Sequence, residues 1–400
     1  MRTRPLAKLA VVGLVSAIAL TGCGSSSDNN KDGGGLSGGG GGGNSSDTYS
    51  IAFQGPLSGD NQQLGINEVN GVELAIEEAN KKGDLGFTLK LLKADDIGDQ
   101  SKAPSAAAQV LQDSSVVGVV GPAFSGPTKA VAQTYGDANM GMISPSATNP
   151  DLSSQGFPTF HRVVPADNIE GVQAADWLAK KGKKVFVIDD LSEYGKGASD
   201  VVRAQLKKTG IDVISEGVDA KTDDYGPIAS QVARSGAQAM FYGGYDAQAV
   251  KLAKALKAAN YKGIAMGGNG VKSSVFSDGA KAAGDGWFFS CGCLDAVTAP
   301  GAKDFTAAYK AKFQDDPSTY SPEAYDATNA MIEAIKAAKA SGSVTREAVA
   351  KAINSLDYKG ITTTIKFQAN GELEEASQVI NLFEQKDGAI VVVGDIRDQS

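Results

Sequence analysis

The sequence predicts an α/β protein of two lobes, each a doubly wound parallel sheet covered by helices. The first observation is a regular alternation of strand-like and helix-like segments from Tyr49 to about residue 143. A second alternation of the same kind begins near Pro165. The third is length, because about 350 of the 400 residues remain after a non-globular N-terminus, and that number fits two domains. Such alternation favours parallel strands with helices on both faces.

The first alternation is clearest in one strand and one helix. Val116 to Val120 is entirely apolar, as expected for a strand that is buried on both faces. Apolar residues from Glu68 to Lys82 recur with helical spacing and share one face. The other elements predicted here are strands 50–53, 87–92 and 142–143 and helices 103–111 and 130–138.

The second alternation is centred on a buried strand from Lys184 to Ile188. Around it the pattern predicts helices 168–180, 197–208, 228–234 and 248–258 and strands 213–217, 239–242, 264–266 and 286–290. The last third predicts helices 303–313, 322–340 and 346–355, then strands 361–367, 379–384 and 390–393. Ser343 and Thr345 are candidate caps for the helix at 346. Asn370-Gly371 and Lys386-Asp387-Gly388 predict hairpin turns.

Residues 1–22 are predicted to be a lipoprotein signal peptide. Cationic residues at positions 2, 4 and 8 precede an apolar stretch of about 12 residues, Leu9 to Leu20, which is typical of a secretory signal and too short to span a bilayer. Leu20-Thr21-Gly22-Cys23 resembles a bacterial lipobox, in which the cysteine is acylated, with palmitate among the chains, and becomes the new N-terminus. The alternative is an ordinary secretory signal with an incidental cysteine. Since two acyl chains anchor stably, we expect a lipid-anchored protein on the extracytoplasmic side of the cell membrane.

Residues 23–48 are predicted to be the lipidated cysteine and a flexible tether. Gly24 to Ser46 is rich in glycine and serine and includes the unbroken run Gly38 to Gly43. Such a segment buries no apolar surface, and its reach is roughly 25–30 Å.

Composition excludes several classes of function. The formal net charge of −8 becomes −11 once the three leader cations are removed, which argues against nucleic-acid binding. With Cys23 assigned to lipidation, the two remaining cysteines and one histidine do not supply the four Cys/His ligands of a structural zinc site. From Tyr49 onwards, phosphate-loop, nucleophile-elbow and zinc-helix motifs do not occur, so we expect no metal, no cofactor and no enzymatic activity.

Polar turns follow the predicted strands at one edge of each sheet. In open α/β sheets, ligands bind at the carboxyl ends of the strands. The turns there are rich in Ser, Thr, Tyr, Gly and Asn: residues 121–126, 144–148, 189–195, 243–246 and 267–270. These groups bind a small polar ligand without reacting with it, although ordinary βα turns favour the same residues. We expect structural roles for His161 and for Asp95-Asp96, which have no evident catalytic partners.

Several strings in order resemble one known family. They are Gly55-Pro56-Leu57-Ser58-Gly59, Asn70-Gly71-Val72-Glu73-Leu74-Ala75, Asp95-Asp96, Gly121-Pro122 with Ser125, Ser144-Pro145-Ser146-Ala147-Thr148, Tyr194-Gly195-Lys196-Gly197, Tyr242-Gly243-Gly244-Tyr245, Glu323-Ala324-Tyr325-Asp326-Ala327 and Asn370-Gly371. From Tyr49 to its end the chain resembles the branched-chain amino-acid type of periplasmic binding protein. The resemblance implies two lobes joined by three crossings: residues 49–165 plus 294–374, and residues 166–293 plus 375–400.

The same resemblance implies a ligand-binding site in the cleft between the lobes. The hydroxyls of Ser125 and Thr148, with the backbone of Ser146 and Ala147, correspond to the group that holds the ligand carboxylate. On the second lobe the matching residues are Tyr194 and Tyr245, which close over the ligand, and Asn269. Leu64 stands at the position near the ligand side chain that is often aromatic in the family, and Phe124 precedes Ser125, so the resemblance implies an apolar pocket.

Asn269 departs from the family pattern, in which an acid faces the ligand ammonium group. A neutral amide supplies no charge, and charge-assisted hydrogen bonds are about twice as strong as neutral ones. Asp246 and Asp167 are the candidate replacements, or the ligand has no ammonium group. If the ligand is an amino acid, Asn269→Asp is expected to tighten its binding.

By resemblance, the function is that of a monomeric solute receptor for an ABC importer, which passes a small amino acid to a membrane permease. A ligand-sensing module for a signalling partner, a receptor for an amide or another amine-free relative, and an extracytoplasmic enzyme are the alternatives. Cys291 and Cys293 are the two cysteines left in the mature body, and in an oxidising compartment we expect them to form a disulfide, the alternative being two free thiols.

Overall fold

The computed structural model describes residues 47–400, and the predicted signal peptide and nearly all of the tether lie outside them. The first five strands form a parallel sheet in the order β2-β1-β3-β4-β5. These strands are β1 Thr48–Gly55, β2 Thr88–Asp95, β3 Val116–Val120, β4 Gly141–Ser144 and β5 Phe160–Arg162. Between them lie α1 Gln62–Lys82, α2 Ala103–Gln112, α3 Ser125–Asp137 and α4 Asp151–Ser154.

A second βα series follows directly. Its strands are β6 Lys184–Asp189, β7 Asp212–Gly217, β8 Ala239–Gly243, β9 Ile264–Gly267 and β10 Trp287–Cys291. Its helices are α5 Asp167–Ala179, α6 Glu193–Lys208, α7 Gly226–Arg234, α8 Asp246–Ala258 and α9 Ser274–Ala280. All strand pairings within this series are parallel, as the sequence predicts.

The last third of the chain adds helices that pack on the first sheet and two strands that join the second. Helices α10 Lys303–Phe313, α11 Ser321–Ala340 and α12 Arg346–Ile353 are followed by the short antiparallel pair β11 Tyr358–Lys359 and β12 Thr364–Ile365. Strands β13 Asn381–Lys386 and β14 Ala389–Asp395 then complete a seven-stranded sheet in the order β14-β13-β10-β9-β8-β6-β7. Short 3-10 turns lie at Lys281–Ala283, Pro300–Ala302, Glu375–Ser377 and Ile396–Asp398.

The lobe around the five-stranded sheet, here called the first lobe, is completed by helices that come late in the chain. Met331 and Ile335 of α11 and Val349 of α12 share one buried cluster with Ile51 of β1 and Val120 of β3. The second lobe surrounds the seven-stranded sheet. The chain passes between the two lobes three times, from β5 to α5, from β10 to α10 and from β12 to β13, where β12 packs on the first lobe through Ile365. The predicted fold of two α/β lobes is confirmed.

Helices α1 and α3 begin five or more residues earlier than the sequence pattern predicts, and α6 begins four residues earlier, at Glu193 rather than residue 197. Helix α1 starts at Gln62 rather than Glu68, and α3 starts at Ser125 rather than residue 130. Glycine lowers the helical signal in both first turns. In α1 the glycine is required, because a Cβ at Gly65 would lie 1.9 Å from the Pro56 carbonyl oxygen. The earlier start of α3 places its free backbone amides in the cleft.

Other local features are as the sequence predicts, with one exception. Thr345 caps α12, its hydroxyl accepting from the Ala348 amide at 3.1 Å. Asp387 and Gly388 have φ values of 51° and 80° and turn β13 into β14. The strand predicted over 361–367 is wrong, because only Thr364–Ile365 is strand there. Within residues 47–400, no helix combines the length and the apolar character that crossing a membrane requires.

Candidate ligand-binding site

The carboxyl ends of the two sets of parallel strands face each other across a cleft, and the lobes touch there. The Phe124 ring, just before α3, stacks on the Tyr245 ring, just before α8, with 4.3 Å between centroids. Lys129 of α3 pairs with Glu193 of α6 at 2.9 Å. The Asn149 side chain donates to the Glu193 carbonyl at 2.7 Å. The structure therefore represents a closed arrangement of the two lobes.

Every residue assigned to the site from the sequence lies at this cleft and is buried. Relative exposures are 2% for Ser125, 7% for Ser146, 0% for Ala147, 2% for Thr148, 3% for Tyr194, 9% for Tyr245 and 3% for Asn269. The first four are in the first lobe, at the start of α3 or in the loop after β4, and the last three are in the second lobe, in α6 or next to β8 and β9. The structure thus brings together residues that are up to 144 positions apart.

The first-lobe side of the site is suited to an anion. Helix α3 begins at Ser125, and a helix N-terminus presents unpaired amides and a partial positive charge. The Ser125 hydroxyl accepts from the Asn149 amide at 3.2 Å and keeps its own proton for another acceptor. The Thr148 hydroxyl is buried and has no hydrogen-bond partner within residues 47–400. Two hydroxyl donors beside a helix N-terminus fit a carboxylate.

A buried arginine, not identified from the sequence, holds the loop after β4 in place. Arg162 donates from Nη1 to the carbonyl oxygens of Ala147 and Asn149, both at 2.9 Å. Its Nε donates to Glu372 at 2.9 Å, and its Nη2 forms an ion pair with the same carboxylate. Arg162 therefore positions Thr148 through the backbone on either side of it.

The second-lobe side carries two acids close to Asn269. Glu170 of α5 accepts from the Asn269 backbone amide at 3.1 Å, from the Asn269 side-chain amide at 3.0 Å and from Ser290 Oγ at 2.8 Å. Burial raises the pKa of Glu170 to about 7, although these hydrogen bonds oppose the shift. The uncharged Asn269 is therefore in direct contact with an acidic side chain, that of Glu170.

Asp167, the first residue of α5, is the second acid. Burial raises its pKa to about 8, and the nearby charge of Glu170 adds to that increase. The nearby Thr148 hydroxyl lowers the pKa of Asp167, although Thr148 Oγ1 and Asp167 Oδ2 do not reach hydrogen-bond geometry. Asp167 Oδ2 is buried and finds no partner among the described residues. Of the two replacement acids suggested by the sequence, Asp167 is therefore the one with a free carboxylate oxygen.

Asp246, the other suggested acid, has both oxygens occupied. Its Oδ1 accepts from the Ala247 amide at 2.8 Å, and its Oδ2 accepts from Ser273 Oγ at 2.6 Å. The structure therefore gives Asp246 a local role at the start of α8 and does not support it as a ligand contact.

Three tyrosines enclose the site. Tyr194 accepts from the Gly270 amide at 3.0 Å, and its ring centroid lies 5.2 Å from that of Tyr245. A Cβ at Gly270 would lie 2.8 Å from the Tyr194 ring, so only glycine allows this approach. Tyr320, which sequence reasoning missed, is buried with φ 69°, an uncommon conformation for a large residue that is found most often at functional sites. Its hydroxyl has no partner in the described part of the chain.

The residues considered as catalytic candidates have structural contacts instead. The His161 ring nitrogens face the Thr159 carbonyl at 3.1 Å and Asn354 Oδ1 at 3.0 Å. Asp95 accepts from the Leu57 amide, and Asp96 accepts from the Gln54 side chain at 3.1 Å. Nowhere in residues 47–400 are three or more His, Cys, Asp or Glu side chains grouped so that they could hold a metal ion.

Comparison with known proteins identifies the family to which this architecture belongs. A sequence model described as "Periplasmic binding protein" matches residues 48–389. The chain belongs to this family. The resemblance found in the sequence is thereby confirmed, and the family is one of solute-binding proteins rather than enzymes.

Relatives in the periplasmic binding protein family match over most of the chain. A leucine-, isoleucine-, valine-, threonine- and alanine-binding protein of Pseudomonas aeruginosa is 30% identical over 82% of this chain and 88% of its own length. Leu/Ile/Val-binding protein homolog 3 of Brucella melitensis is 32% identical over 84% and 91%. A branched-chain amino-acid transporter substrate-binding protein of Streptococcus pneumoniae, solved with isoleucine, is 25% identical, covers 87% of this chain and 100% of its own, and has a TM-score of 0.78.

One further contact lies where β10 leaves the second lobe. Cys291 and Cys293 are buried there and are joined by a disulfide. A cavity of about 120 Å³ lies beside them, lined by residues from the three chain crossings, among them Pro165, Gly292 and Val379. The disulfide therefore lies at the hinge between the lobes.

Proposed function

We propose that this protein is the extracytoplasmic solute-binding lipoprotein of an ABC importer, and that it captures a small zwitterionic amino acid between its lobes and delivers it to a membrane permease. The relatives named for leucine, isoleucine and valine support an amino-acid ligand. The arrangement of charge in the cleft also supports an amino-acid ligand, because the hydroxyls of Ser125 and Thr148 lie opposite two carboxyl groups of α5.

One observation carries this proposal. Thr148 Oγ1 and Asp167 Oδ2 are neighbouring buried polar atoms, and neither has a hydrogen-bond partner in residues 47–400. Leaving such atoms unpaired costs about 1–3 kcal/mol each. A ligand that offers a carboxylate to Thr148 and Ser125 and an ammonium group to Asp167 satisfies both sides at once. We assign ligand binding to Ser125, Ser146, Ala147, Thr148, Tyr194, Tyr245 and Asn269, and add Asp167 and Tyr320.

Calorimetry with a panel of L-amino acids, their amides and their 2-hydroxy analogues tests the proposal. We expect binding of at least one amino acid, and a loss of at least about tenfold when either the carboxylate or the amine is replaced. Tighter binding of a hydroxy acid than of its amino acid would show that the receptor takes an amine-free ligand. A folded protein that binds no member of the panel would overturn the proposal.

The lipid anchor is a separate part of the proposal and concerns residues outside the described range. We propose that Cys23 is acylated after removal of residues 1–22 and that residues 24–48 act as a tether. Intact-mass spectrometry of the membrane-extracted protein should show acyl chains on Cys23, and Cys23→Ala should release the protein or leave it uncleaved while amino-acid binding is unchanged. Wild-type protein without acyl groups at Cys23 would contradict the anchor.

We also propose that the lobes comprise residues 49–165 plus 294–374 and residues 166–293 plus 375–400. The late helices that pack on the first sheet, and strands β13 and β14 that join the second, support this division.

A further inference from the structure

Glu68 is a buried acid that the proposed grip on the ligand backbone does not use. It lies on α1, its relative exposure is 0%, and neither carboxylate oxygen has a hydrogen-bond partner among residues 47–400. The Ser146 hydroxyl lies beside it but donates to the Ala123 carbonyl at 2.6 Å. A carboxyl group without partners in an apolar interior is costly, and its burial calls for a hydrogen-bond donor.

The position of Glu68 places it at the side-chain end of the site. Leu64 is one helical turn earlier on the same face of α1, and it packs in one buried cluster with Phe124 and Tyr245. Glu68 also lies beside Ser146, in the loop after β4 that forms the first-lobe side of the cleft. The pocket predicted to be apolar from Leu64 and Phe124 therefore also contains a carboxyl group.

Glu68 is separate from the acids assigned to the ligand amine. Burial makes the largest contribution to the raised pKa of both Glu68 and Asp167. The charges that further raise the pKa of Glu68 are those of Asp96 and Glu323, on the first-lobe side. The charges that change the pKa of Asp167 are instead those of Glu170, which raises it, and Arg162, which lowers it. A ligand held through its α-carboxylate and α-amine accordingly extends its side chain towards Leu64, Phe124 and Glu68.

We propose that Glu68 accepts a hydrogen bond from the ligand side chain, so that the receptor prefers an amino acid whose side chain carries an O–H or N–H group over its aliphatic isostere. This inference rests on the proposed function. A site that hydrogen-bonds a substrate group discriminates strongly against the analogue that lacks it, because the buried protein group is then left unpaired.

Isosteric pairs provide the test, with calorimetric binding constants as the measurement. L-Threonine and L-valine differ by a hydroxyl in place of a methyl group, and L-2,4-diaminobutyrate and L-norvaline differ by an ammonium in place of a methyl group. We expect the donor-bearing member of at least one pair to bind at least about tenfold tighter to the wild-type protein. A preference in the first pair identifies a neutral donor, and one confined to the second identifies a cationic donor.

Variants assign that preference to Glu68. Glu68→Met keeps the length of the side chain without its oxygens, and it should abolish or reverse the ratio within the preferred pair. Glu68→Gln should retain a preference for threonine and lose one for diaminobutyrate. Asp246→Asn is the matched control, since it neutralises a buried acid whose oxygens are already occupied, and it should leave the ratio unchanged.

The possible failures are distinguishable. Equal or tighter binding of the aliphatic member of both pairs to the wild-type protein overturns the role of Glu68 while leaving an amino-acid receptor. A wild-type preference that persists in folded Glu68→Met also overturns it. If the folded protein binds no amino acid of the wider panel, the proposed function itself is overturned, and the inference with it.

Discussion

Asn269 donates two hydrogen bonds to the Glu170 carboxylate, one from its backbone and one from its side chain. The position at which the family resemblance leads one to expect an acid is thus occupied by an amide that is itself bound to an acid. Negative charge is present on this side of the cleft, but it comes from α5 rather than from the turn after β9.

This contact changes what we expect of Asn269→Asp. From the sequence alone the variant should tighten amino-acid binding, but in the structure the new carboxylate would face Glu170 in a buried site. Like charges so close disfavour ionisation of both groups. We now expect the variant to bind amino acids about as tightly as wild type or more weakly, and to unfold at a lower temperature above neutral pH.

Calorimetry and thermal unfolding on the same preparation check this expectation. The double variant Glu170→Gln/Asn269→Asp is the control, because it restores one acid and one amide with their positions exchanged. It should recover both stability and affinity. Tighter amino-acid binding by the single variant, without loss of stability, would contradict the account.

Asp167→Asn should weaken amino-acid binding and stabilise the ligand-free protein. The affinity loss is expected to be roughly tenfold to a hundredfold, the equivalent of about 1–3 kcal/mol for a charged hydrogen-bond partner. Burial raises the pKa of Asp167 to about 8 from 3.8, so between these pH values the folded protein holds a proton that the unfolded chain has released. Its stability therefore falls as the pH rises through this window.

Thermal unfolding of wild type and Asp167→Asn at pH 5, 7 and 9 measures the second effect. The stability advantage of Asp167→Asn over wild type should increase with pH, since asparagine does not titrate. A variant that binds as well as wild type, or whose stability advantage does not change with pH, would show that Asp167 is not the partner of the amine.

Amino-acid binding should release a proton near neutral pH. In the ligand-free site Asp167 is largely protonated at pH 7, because burial and the neighbouring Glu170 raise its pKa to about 8. An ammonium group placed against it favours the carboxylate and lowers that pKa. Affinity should therefore rise between pH 6 and 8.

Calorimetry at pH 7 in buffers of low and high ionisation enthalpy measures the proton directly. The observed heat should depend on the buffer for wild type and should depend on it much less for Asp167→Asn. Identical heats in all buffers would mean that no proton leaves.

Arg162→Met should destabilise the protein strongly. The change removes two hydrogen bonds to the loop after β4 and leaves Glu372, whose side chain is 12% exposed, without its charged partner. Breaking a buried pair in this way costs about 3–5 kcal/mol. Urea unfolding is the measurement, and Arg162→Met/Glu372→Gln should recover part of the loss. A loss below about 1 kcal/mol would contradict the role of Arg162.

The sequence predicts most of the fold because its strands are marked locally. Val116–Val120 is apolar throughout, and the turns that follow the strands carry the residues of the site. The start of α3 is not predicted correctly, because Gly126 and Pro127 are poor helix residues in isolation. Helix α3 begins at Ser125 only in the presence of the first lobe around it.

The buried acids could not be found in this way. Glu68 and Glu170 are single charged residues in helical segments, where the default expectation is a solvated position. Their burial results from contacts with distant parts of the chain, such as that between Glu170 and Ser290, 120 residues apart. Tyr320 could not be identified from the sequence, because nothing in the residue types around a tyrosine indicates that its φ will be positive. A Glu one turn from a cleft residue, as Glu68 is from Leu64, is the one signal that was available.

The stacked rings of Phe124 and Tyr245 have a consequence for how tightly any ligand is held. Separating the lobes must break this contact, which belongs to the protein alone and is worth about 0.5–1.5 kcal/mol beyond the area it buries. Its contribution to residence time is the same for every ligand in the cleft. Phe124 also lines the pocket of the ligand side chain, so altering it should both speed the release of every ligand and change their order. Loss of the Lys129–Glu193 pair, which joins the lobes outside that pocket, should instead scale all dissociation rates together, so that the strength and the selectivity of capture can evolve independently.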